Sequence, residues 1–364
     1  RQRQMCIRDS YLTMKKQIIL MTAAVLAITS CSKDESTEVN NGQAIDFRVA
    51  MGTRAAETTT ANITKFFVTA LDADDANLFS NQEFTKSGSF FISTPAYYWP
   101  GDGSTLSFYA YSPSAADLGA TVSITSASKT MTDFSPATAI ASQKDFITAS
   151  ATGSKADETT GVALTFAHRL AQIEIKAKNT NGGYVYKVQG VRIGQSVSQA
   201  TFDFGRSAWT LGTAKSNYEM TYTSSKTLNA TAASIMAADG NNAMLIPQQL
   251  TAWTPDSDKP NANKGAYIAV KVNITTTSGA RVYPATSVGE YDWVAVPVGT
   301  NWVAGQKYVY TLDFSNGAGR VDPEKPTPVD PEDPFEPGDP ILGSPIKFTV
   351  TVTPWVDASQ NLNM

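Results

Sequence analysis

The clearest structural signal in this chain is the stretch Ile346-Lys347-Phe348-Thr349-Val350-Thr351-Val352-Thr353-Pro354-Trp355. Apolar residues alternate with lysine and threonine. In an extended strand, Ile346, Phe348, Val350 and Val352 would therefore face one side. A strand with one apolar face needs a sheet that buries it, in its own chain or in another molecule. The stretch predicts a β-sheet protein and leaves the partner of this strand open.

The rest of the sequence has the same character. Short runs rich in valine, isoleucine, phenylalanine, tyrosine and threonine alternate with Gly, Pro, Asn and Ser turns, and long helical periodicities are missing. Ile45–Met51 and Leu106–Tyr111 are typical half-buried strands. The pattern and the length of 364 residues favour two β-sandwich domains, which we assign to residues 45–165 and 166–321.

The composition changes after the second predicted domain. Asp322 to Pro340 contains seven prolines and seven acidic residues in 19 positions. Proline cannot donate to a strand ladder and like charges repel each other. We therefore expect an extended, solvated linker over residues 322–345, followed by a terminal strand over residues 346–357.

The N-terminal region predicts export and lipidation. Met14, Lys15 and Lys16 precede an apolar run from Ile18 to Ile28, which ends at Ile28-Thr29-Ser30-Cys31. These are the parts of a signal peptide, and the run is about half the length of a spanning helix. Cys31 after this exit is typical of a bacterial lipobox. We expect a non-native leader over residues 1–13, a signal peptide over 14–30 and a tether over 31–44 that begins with an acyl lipid on Cys31.

Composition argues against several classes of function. The chain has 33 acidic and 29 basic residues, a net charge of −4, which disfavours nucleic acid as a partner. His168 is the single histidine, so metal sites with the usual His/Cys spacing are excluded and a catalytic triad would depend on this residue alone. We interpret His168 as a buried structural residue that hydrogen-bonds to backbone. No catalytic residue, metal site or cofactor other than the acyl lipid is predicted.

Four blocks of sequence carry a family resemblance. They are Thr165–Ile175 (TFAHRLAQIEI), Tyr97–Pro100 with Leu106–Pro113 (YWP and LSFYAYSP), Trp302–Leu312 (WVAGQKYVYTL) and Val352–Trp355 (VTPW). Together, in this order, they resemble Bacteroidota fimbrillin-like proteins over about residues 40–357.

The resemblance implies two transthyretin-like β-sandwich domains in a stalk, tip or anchor subunit of a type V pilus. It implies a lipoprotein precursor, held in the outer membrane, that a trypsin-like protease cuts after an arginine near the first strand. Arg54 is the best candidate, and Arg48 is the alternative. Loss of the first strand would leave a groove for a strand of another pilus subunit. We take the donor-strand candidates to be Ile346, Phe348, Val350, Val352 and Trp355. A host or microbial surface ligand is a further expected partner.

Two other functions remain as alternatives. A surface glycan-binding lipoprotein would use an exposed aromatic platform, for which Tyr97-Tyr98-Trp99 is the candidate, although core packing is the favoured interpretation of these residues. A secreted hydrolase is the least favoured, because glycosidases need a pair of carboxylic acids and no distinctive pair is visible.

Overall fold

The computed structural model describes residues 43–51, 62–237, 241–255, 265–285, 290–325 and 335–355. These residues form 22 strands and two short 3-10 helices, Ile140–Ser142 and Lys155–Asp157, which confirms the predicted all-β class. No helix in the described ranges is long and apolar enough to cross a membrane. In chain order the strands are β1 Phe47–Met51, β2 Lys65–Leu71, β3 Asn77–Ser87, β4 Phe90–Ser93, β5 Leu106–Ser112, β6 Thr121–Ile124, β7 Lys129–Phe134, β8 Ile147–Gly153, β9 Val162–His168, β10 Ala171–Lys178, β11 Tyr184–Val197, β12 Ala200–Asp203, β13 Ala208–Leu211, β14 Lys215–Thr227, β15 Ala233–Ser234, β16 Ala243–Leu245, β17 Tyr267–Thr276, β18 Arg281–Tyr283, β19 Asp292–Pro297, β20 Gln306–Asp313, β21 Arg320–Val321 and β22 Lys347–Pro354.

Seven strands close into a barrel in the order β1-β4-β3-β2-β5-β8-β9. All neighbours in this order are antiparallel, and a parallel pairing of β1 with β9 completes the ring. The inward positions are apolar because the strands alternate, and they are unusually aromatic. The buried phenylalanines of this core are Phe47, Phe66, Phe79, Phe84, Phe91, Phe108 and Phe166.

The second half of the chain forms two sheets that enclose a core of their own. One sheet has the order β15-β10-β20-β22, with β16 also on β10, and the other has the order β14-β11-β17-β19-β21, with β18 on β17. Strands β10 and β20 are parallel, whereas β22 is antiparallel to β20 and lies at the edge of its sheet. The alternating valines, isoleucines and tyrosines of β11, β17 and β20 fill the space between the sheets.

A fourth sheet joins the two halves. The hairpin β6-β7 comes from the first half and the hairpin β12-β13 from the second, and they pair through β7 and β12 in the order β13-β12-β7-β6. A separate apolar cluster lies at this junction and includes Tyr111, Phe146, Phe202, Ile246 and Trp355. The predicted boundary at residue 165 falls inside β9, and the chain leaves the barrel after His168. The division into two domains stays a prediction.

The described residues at both ends of the predicted linker pack against the rest of the protein. For these residues the expectation of a solvated segment is wrong. Asp322 and Ile341 are 3% and 1% exposed. The Val321 amide donates to the carbonyl of Asp339, and the Ile341 amide donates to that of Gly319. The prediction from composition is wrong at Asp322 because this carboxylate has an oppositely charged partner, the guanidinium of Arg192. Residues 326–334 lie outside the described residues.

Candidate functional site at the two terminal strands

Two of the residues singled out by the sequence, Cys31 and Arg54, lie outside the described residues. The other cleavage candidate and the donor-strand candidates are described, and they lie on or directly beside the first and last strands. Arg48, the alternative cleavage site, lies within β1 with its side chain exposed, and its Nη2 donates to the carbonyl of Gly161 at 3.4 Å. The geometry of β1 and β22 therefore defines the candidate site.

Strand β1 is anchored in the barrel by its apolar side chains. Ile45, just before the strand, and Phe47 within it are 1% and 0% exposed. The Phe47 ring makes edge-to-face contacts with Phe84 and Phe108, with centroids 4.8 and 5.1 Å apart. Since full burial of such a side chain contributes about 1.5–3 kcal/mol, Phe47 is a principal anchor of β1.

The backbone of β1 is paired mainly on one side. Five residue pairs join it to β9, from Phe47↔Val162 to Met51↔Phe166, whereas a single pair, Phe47↔Phe91, joins it to β4. Before the strand, the Ile45 amide donates to the carbonyl of Tyr97 at 2.7 Å. Removal of β1 would open the barrel between β4 and β9 and expose aromatic side chains there.

Gly161, just before β9, leaves room for the side chains of Asp46, which precedes β1, and of Phe90. Its φ is +68°, and a Cβ at this position would lie 2.6 Å from Oδ1 of Asp46 and 3.1 Å from the Phe90 ring. Burial raises the pKa of Asp46, and the nearby positive charge of Arg48 counteracts part of this rise. The sequence alone does not point to Gly161, because its role depends on contact with a residue more than a hundred positions away.

The terminal strand β22 lies on its own sheet. It pairs with β20 along its whole length, from Gln306↔Pro354 to Asp313↔Lys347. Within the isolated chain, the terminal strand therefore pairs with a sheet of its own molecule. The opposite edge of β22 has no neighbouring strand in the described part of the chain.

The donor-strand candidates differ in how deeply they are buried on that sheet. Ile346 and Trp355, at the two ends, are 3% and 0% exposed. Phe348 and Val350 are half-buried against the core, and Val352 is 50% exposed. Buried side chains therefore anchor the two ends of the strand more strongly than its middle.

Trp355 anchors the end of β22 at the junction of the two halves. Its indole stacks on the imidazole of His168 with centroids 4.2 Å apart, and its amide donates to the carbonyl of Gly305. His168 is fully buried, as predicted, but its partner is a carboxylate: Nδ1 lies 2.7 Å from Oδ2 of Asp145. No local pattern marked Asp145 in the sequence. The single histidine thus supports the position of the last described residue.

The candidate aromatic platform is mostly interior. Trp99 is buried in the barrel core. Tyr97 packs against the same core, with its ring centroid 4.5 Å from that of Phe79. Tyr98 is 48% exposed. Core packing, the favoured interpretation, is confirmed for Tyr97 and Trp99.

Comparisons with known proteins agree with this architecture. The model of the fimbrillin-like family matches residues 53–355. A fimbrial protein from Bacteroides vulgatus has a similar structure, with a TM-score of 0.59, 16% identity, and coverage of 86% of this chain and 100% of that one. A protein from Parabacteroides distasonis assigned to cell adhesion gives a TM-score of 0.50 and 12% identity, with 88% and 99% of the two chains covered. No curated protein sequence matches the chain. Because the family model spans most of its length, the chain belongs to the fimbrillin-like family.

Proposed function

We propose that this protein is a structural or adhesive subunit of a cell-surface fimbria, exported as a lipoprotein and assembled by proteolysis-linked strand exchange. The observation that carries the proposal is the place of β1 in the fold. It closes the barrel, and it ends at Met51, three residues before Arg54. One cut after Arg54 would separate the closing strand, together with the lipid on Cys31, from the body of the subunit.

The groove left by β1 suits another strand. Its walls are the backbone of β9 and β4, and its floor is the aromatic core that includes Phe66, Phe84 and Phe108. Exposed apolar surface costs about 25 cal/mol per Å², so an empty groove favours any strand that can cover it. Backbone hydrogen bonds would supply affinity and the alternate side chains would supply specificity.

Strand β22 is the best donor in the described structure. It is an edge strand, so its departure would break pairing with β20 alone. The middle of the strand is only half-buried, and the acidic, proline-rich residues 322–345 precede it. The main cost of its release is the loss of the buried sites of Ile346 and Trp355.

The role is structural in this proposal, with no catalytic centre. Other subunits are the partners, the outer membrane is reached through the lipid, and a host or microbial surface ligand is a further partner of an adhesive subunit. In an anchor subunit, Arg54 would stay uncut and Cys31 would remain the attachment point. No geometric observation favours the glycan-binding alternative, because Tyr98 is the one exposed ring of its candidate platform.

The test is controlled processing of the purified full chain. Trypsin should release a body whose N-terminal sequence begins at Ala55, and electron microscopy should then show fibres. Arg54→Gln should block both events, while the control Arg48→Gln should change neither. Fibres formed with Arg54 intact would contradict the proposal, and so would a body that starts at Ala55 but stays monomeric at high concentration.

A further inference from the structure

A cleft lies on the outside of the barrel, between strands β5 and β8 and the turn of the β12-β13 hairpin. Its volume is about 320 Å³. The hydroxyl-bearing residues Ser107, Ser150 and Thr152 line it together with the aromatic residues Tyr109 and Phe204. Sites for small ligands are of this size and combine apolar walls with a few polar groups. The cleft can therefore hold one small polar molecule.

The guanidinium of Arg169 lies at one end of this cleft. Its Nε donates to Oγ1 of Thr148 at 2.6 Å, and its central carbon lies 5.6 Å from the centre of the Phe202 ring. Thr148 shares one face of β8 with the cleft residue Ser150, because side chains alternate along a strand. Phe202 contacts the cleft residue Phe204, with ring centroids 5.3 Å apart. Both groups that hold Arg169 are therefore direct neighbours of the cleft lining.

The two terminal nitrogens of Arg169 have no protein partner in the described structure. The one hydrogen bond of this side chain is the bond from Nε to Thr148. Neither Nη1 nor Nη2 is among the polar atoms that are sealed from solvent without a partner, so both are accessible. A half-buried positive charge without a counter-ion is unfavourable. An anion bound at Nη1 and Nη2 would relieve this cost.

A comparison with Arg192 shows what Arg169 lacks. Burial lowers the pKa of the Arg169 guanidinium. Burial acts in the same direction on Arg192, but Asp322 and Glu219 outweigh it and raise the pKa of that residue. Arg192 is thus neutralised within the fold, whereas Arg169 keeps an uncompensated charge beside the cleft.

The other cations near the cleft already have carboxylate partners. Nζ of Lys129 lies 6.0 Å from the centre of the Tyr109 ring, and it is 3.3 Å from Oδ1 of Asp75. Arg206, in the hairpin turn, has Nη1 3.3 Å from Oδ2 of Asp203. A ligand anion in the cleft would therefore meet its strongest attraction at the Arg169 end.

The geometry of Arg169 suits a carboxylate. A guanidinium presents its N–H groups in a planar fork that matches the two oxygens of a carboxylate. The bond to Thr148 and the contact with Phe202 hold this fork in one orientation, so little side-chain entropy is lost when a ligand binds. Hydroxyl groups such as those of Ser150 and Thr152 can donate and accept hydrogen bonds, and thus suit a ligand rich in hydroxyls.

We infer that the cleft binds an acidic sugar, whose carboxylate pairs with Nη1 and Nη2 of Arg169. The ring hydroxyls of the sugar then hydrogen-bond to Ser150 and Thr152, and its apolar face packs on Tyr109. Such a ligand serves an adhesive subunit, so the assignment rests on the proposed function and gives its surface ligand a chemical class. The site is separate from the platform at Tyr97–Trp99, which does not line this cleft.

Ligand-detected NMR on the purified full chain tests the assignment. The probes are methyl β-D-glucuronide and its neutral counterpart methyl β-D-glucoside, which has a hydroxymethyl group in place of the carboxylate. The glucuronide should bind at least about 10-fold more tightly, because hydrogen bonds to charged groups are stronger than those between neutral groups. Equal binding of the two sugars, or binding of neither, would overturn the inference. Inorganic sulfate that binds as tightly as the glucuronide would also overturn it, because the site would then recognise charge alone.

Two substitutions locate the binding. Arg169→Gln should weaken glucuronide binding about 10- to 100-fold. Arg206→Gln is the matched control, since this exposed arginine also borders the cleft, and it should change binding less than about 2-fold. Equal losses from the two substitutions would overturn the role of Arg169.

Ser150→Trp tests the cleft with Arg169 left in place. Ser150 is exposed, so the variant should unfold at the same urea concentration as the unsubstituted chain. Its indole should fill the cleft and abolish glucuronide binding. Binding that survives in a folded Ser150→Trp chain would overturn the assignment of this cleft, whatever the effect of Arg169→Gln on folding.

Failure of this site and failure of the proposed assembly are distinguishable. The NMR measurements use the intact chain and require neither trypsin processing nor fibres. A chain that forms fibres but binds no glucuronide would overturn the inference and leave the assembly standing. A chain that binds glucuronide through Arg169 but forms no fibres would support the site and overturn the assembly.

Discussion

Replacement of Phe47 by alanine is the most direct test of how β1 is held. Phe47 is fully buried, and its ring contacts Phe66, Phe84 and Phe108. Deletion of a buried phenylalanine side chain costs roughly 3–5 kcal/mol, through lost burial and the cavity that remains. We expect the upper part of this range, because edge-to-face ring contacts add about 0.5–1.5 kcal/mol to simple burial.

The assay is urea unfolding of the intact chain, followed by tryptophan fluorescence and circular dichroism. Trp99 is buried in the barrel core and reports on this half of the molecule. Arg48→Ala is the matched control, since the side chain of Arg48 on the same strand is exposed and should change stability by no more than about 0.5 kcal/mol.

The same variant then reports on processing. After cleavage at Arg54 and gel filtration, the Phe47→Ala body and the unsubstituted body should unfold at the same urea concentration, because the strand that differs has left. An intact Phe47→Ala chain as stable as the unsubstituted one would refute the closed barrel. A difference that survives cleavage would show that β1 stays in the groove and would refute its release.

Three further substitutions test other parts of the site. Gly161→Ala should destabilise β1 by about 1–3 kcal/mol and speed trypsin cleavage at Arg54, because the new Cβ would meet the side chain of Asp46. Gly88→Ala is the control for backbone strain, since Gly88 has a similar φ of +61° and no atom within 4 Å of the position that its Cβ would take. Equal effects of the two substitutions would contradict the role of Gly161 in making room for Asp46. Trp355→Ala should cost roughly 3–5 kcal/mol and raise hydrogen exchange in β22, whereas unchanged exchange would mean that its contact with His168 does not hold the strand. Asp322→Ala should cost roughly 3–5 kcal/mol in thermal or urea unfolding, because Arg192 would lose its buried partner. Glu219→Ala, which removes a more exposed partner of the same arginine, should cost less than about 1 kcal/mol, and the reverse order would be inconsistent with this reasoning.

The sequence predicts the strands of this fold better than it predicts their neighbours. The alternation in Ile45–Val49 is enough to predict β1 and its buried side, since both follow from local periodicity. Its parallel pairing with Val162–Phe166 involves residues more than a hundred positions away, and no local pattern encodes that choice. The alternation in β22 likewise fits any sheet edge, so the sequence could not decide between its own sheet and that of another molecule.

The polar partners were the least predictable part of the site. The burial of His168 follows from its apolar neighbours in sequence, but the contact with Asp145 depends on how β8 and β9 meet. The acidic tract suggested a solvated segment because its charges repel one another. Asp322 is buried nevertheless, because the guanidinium of Arg192 on β11 attracts its carboxylate.

The sheet that joins the two halves has a mechanical consequence. Strands β7 and β12 connect hairpins that belong to different halves, and the apolar cluster beneath them includes Tyr111 and Ile246. Bending one half against the other would have to break these hydrogen bonds and open that cluster together. In the proposed filament, under the drag of flowing liquid, each copy would therefore act as a stiff link, and bending would concentrate where one copy meets the next.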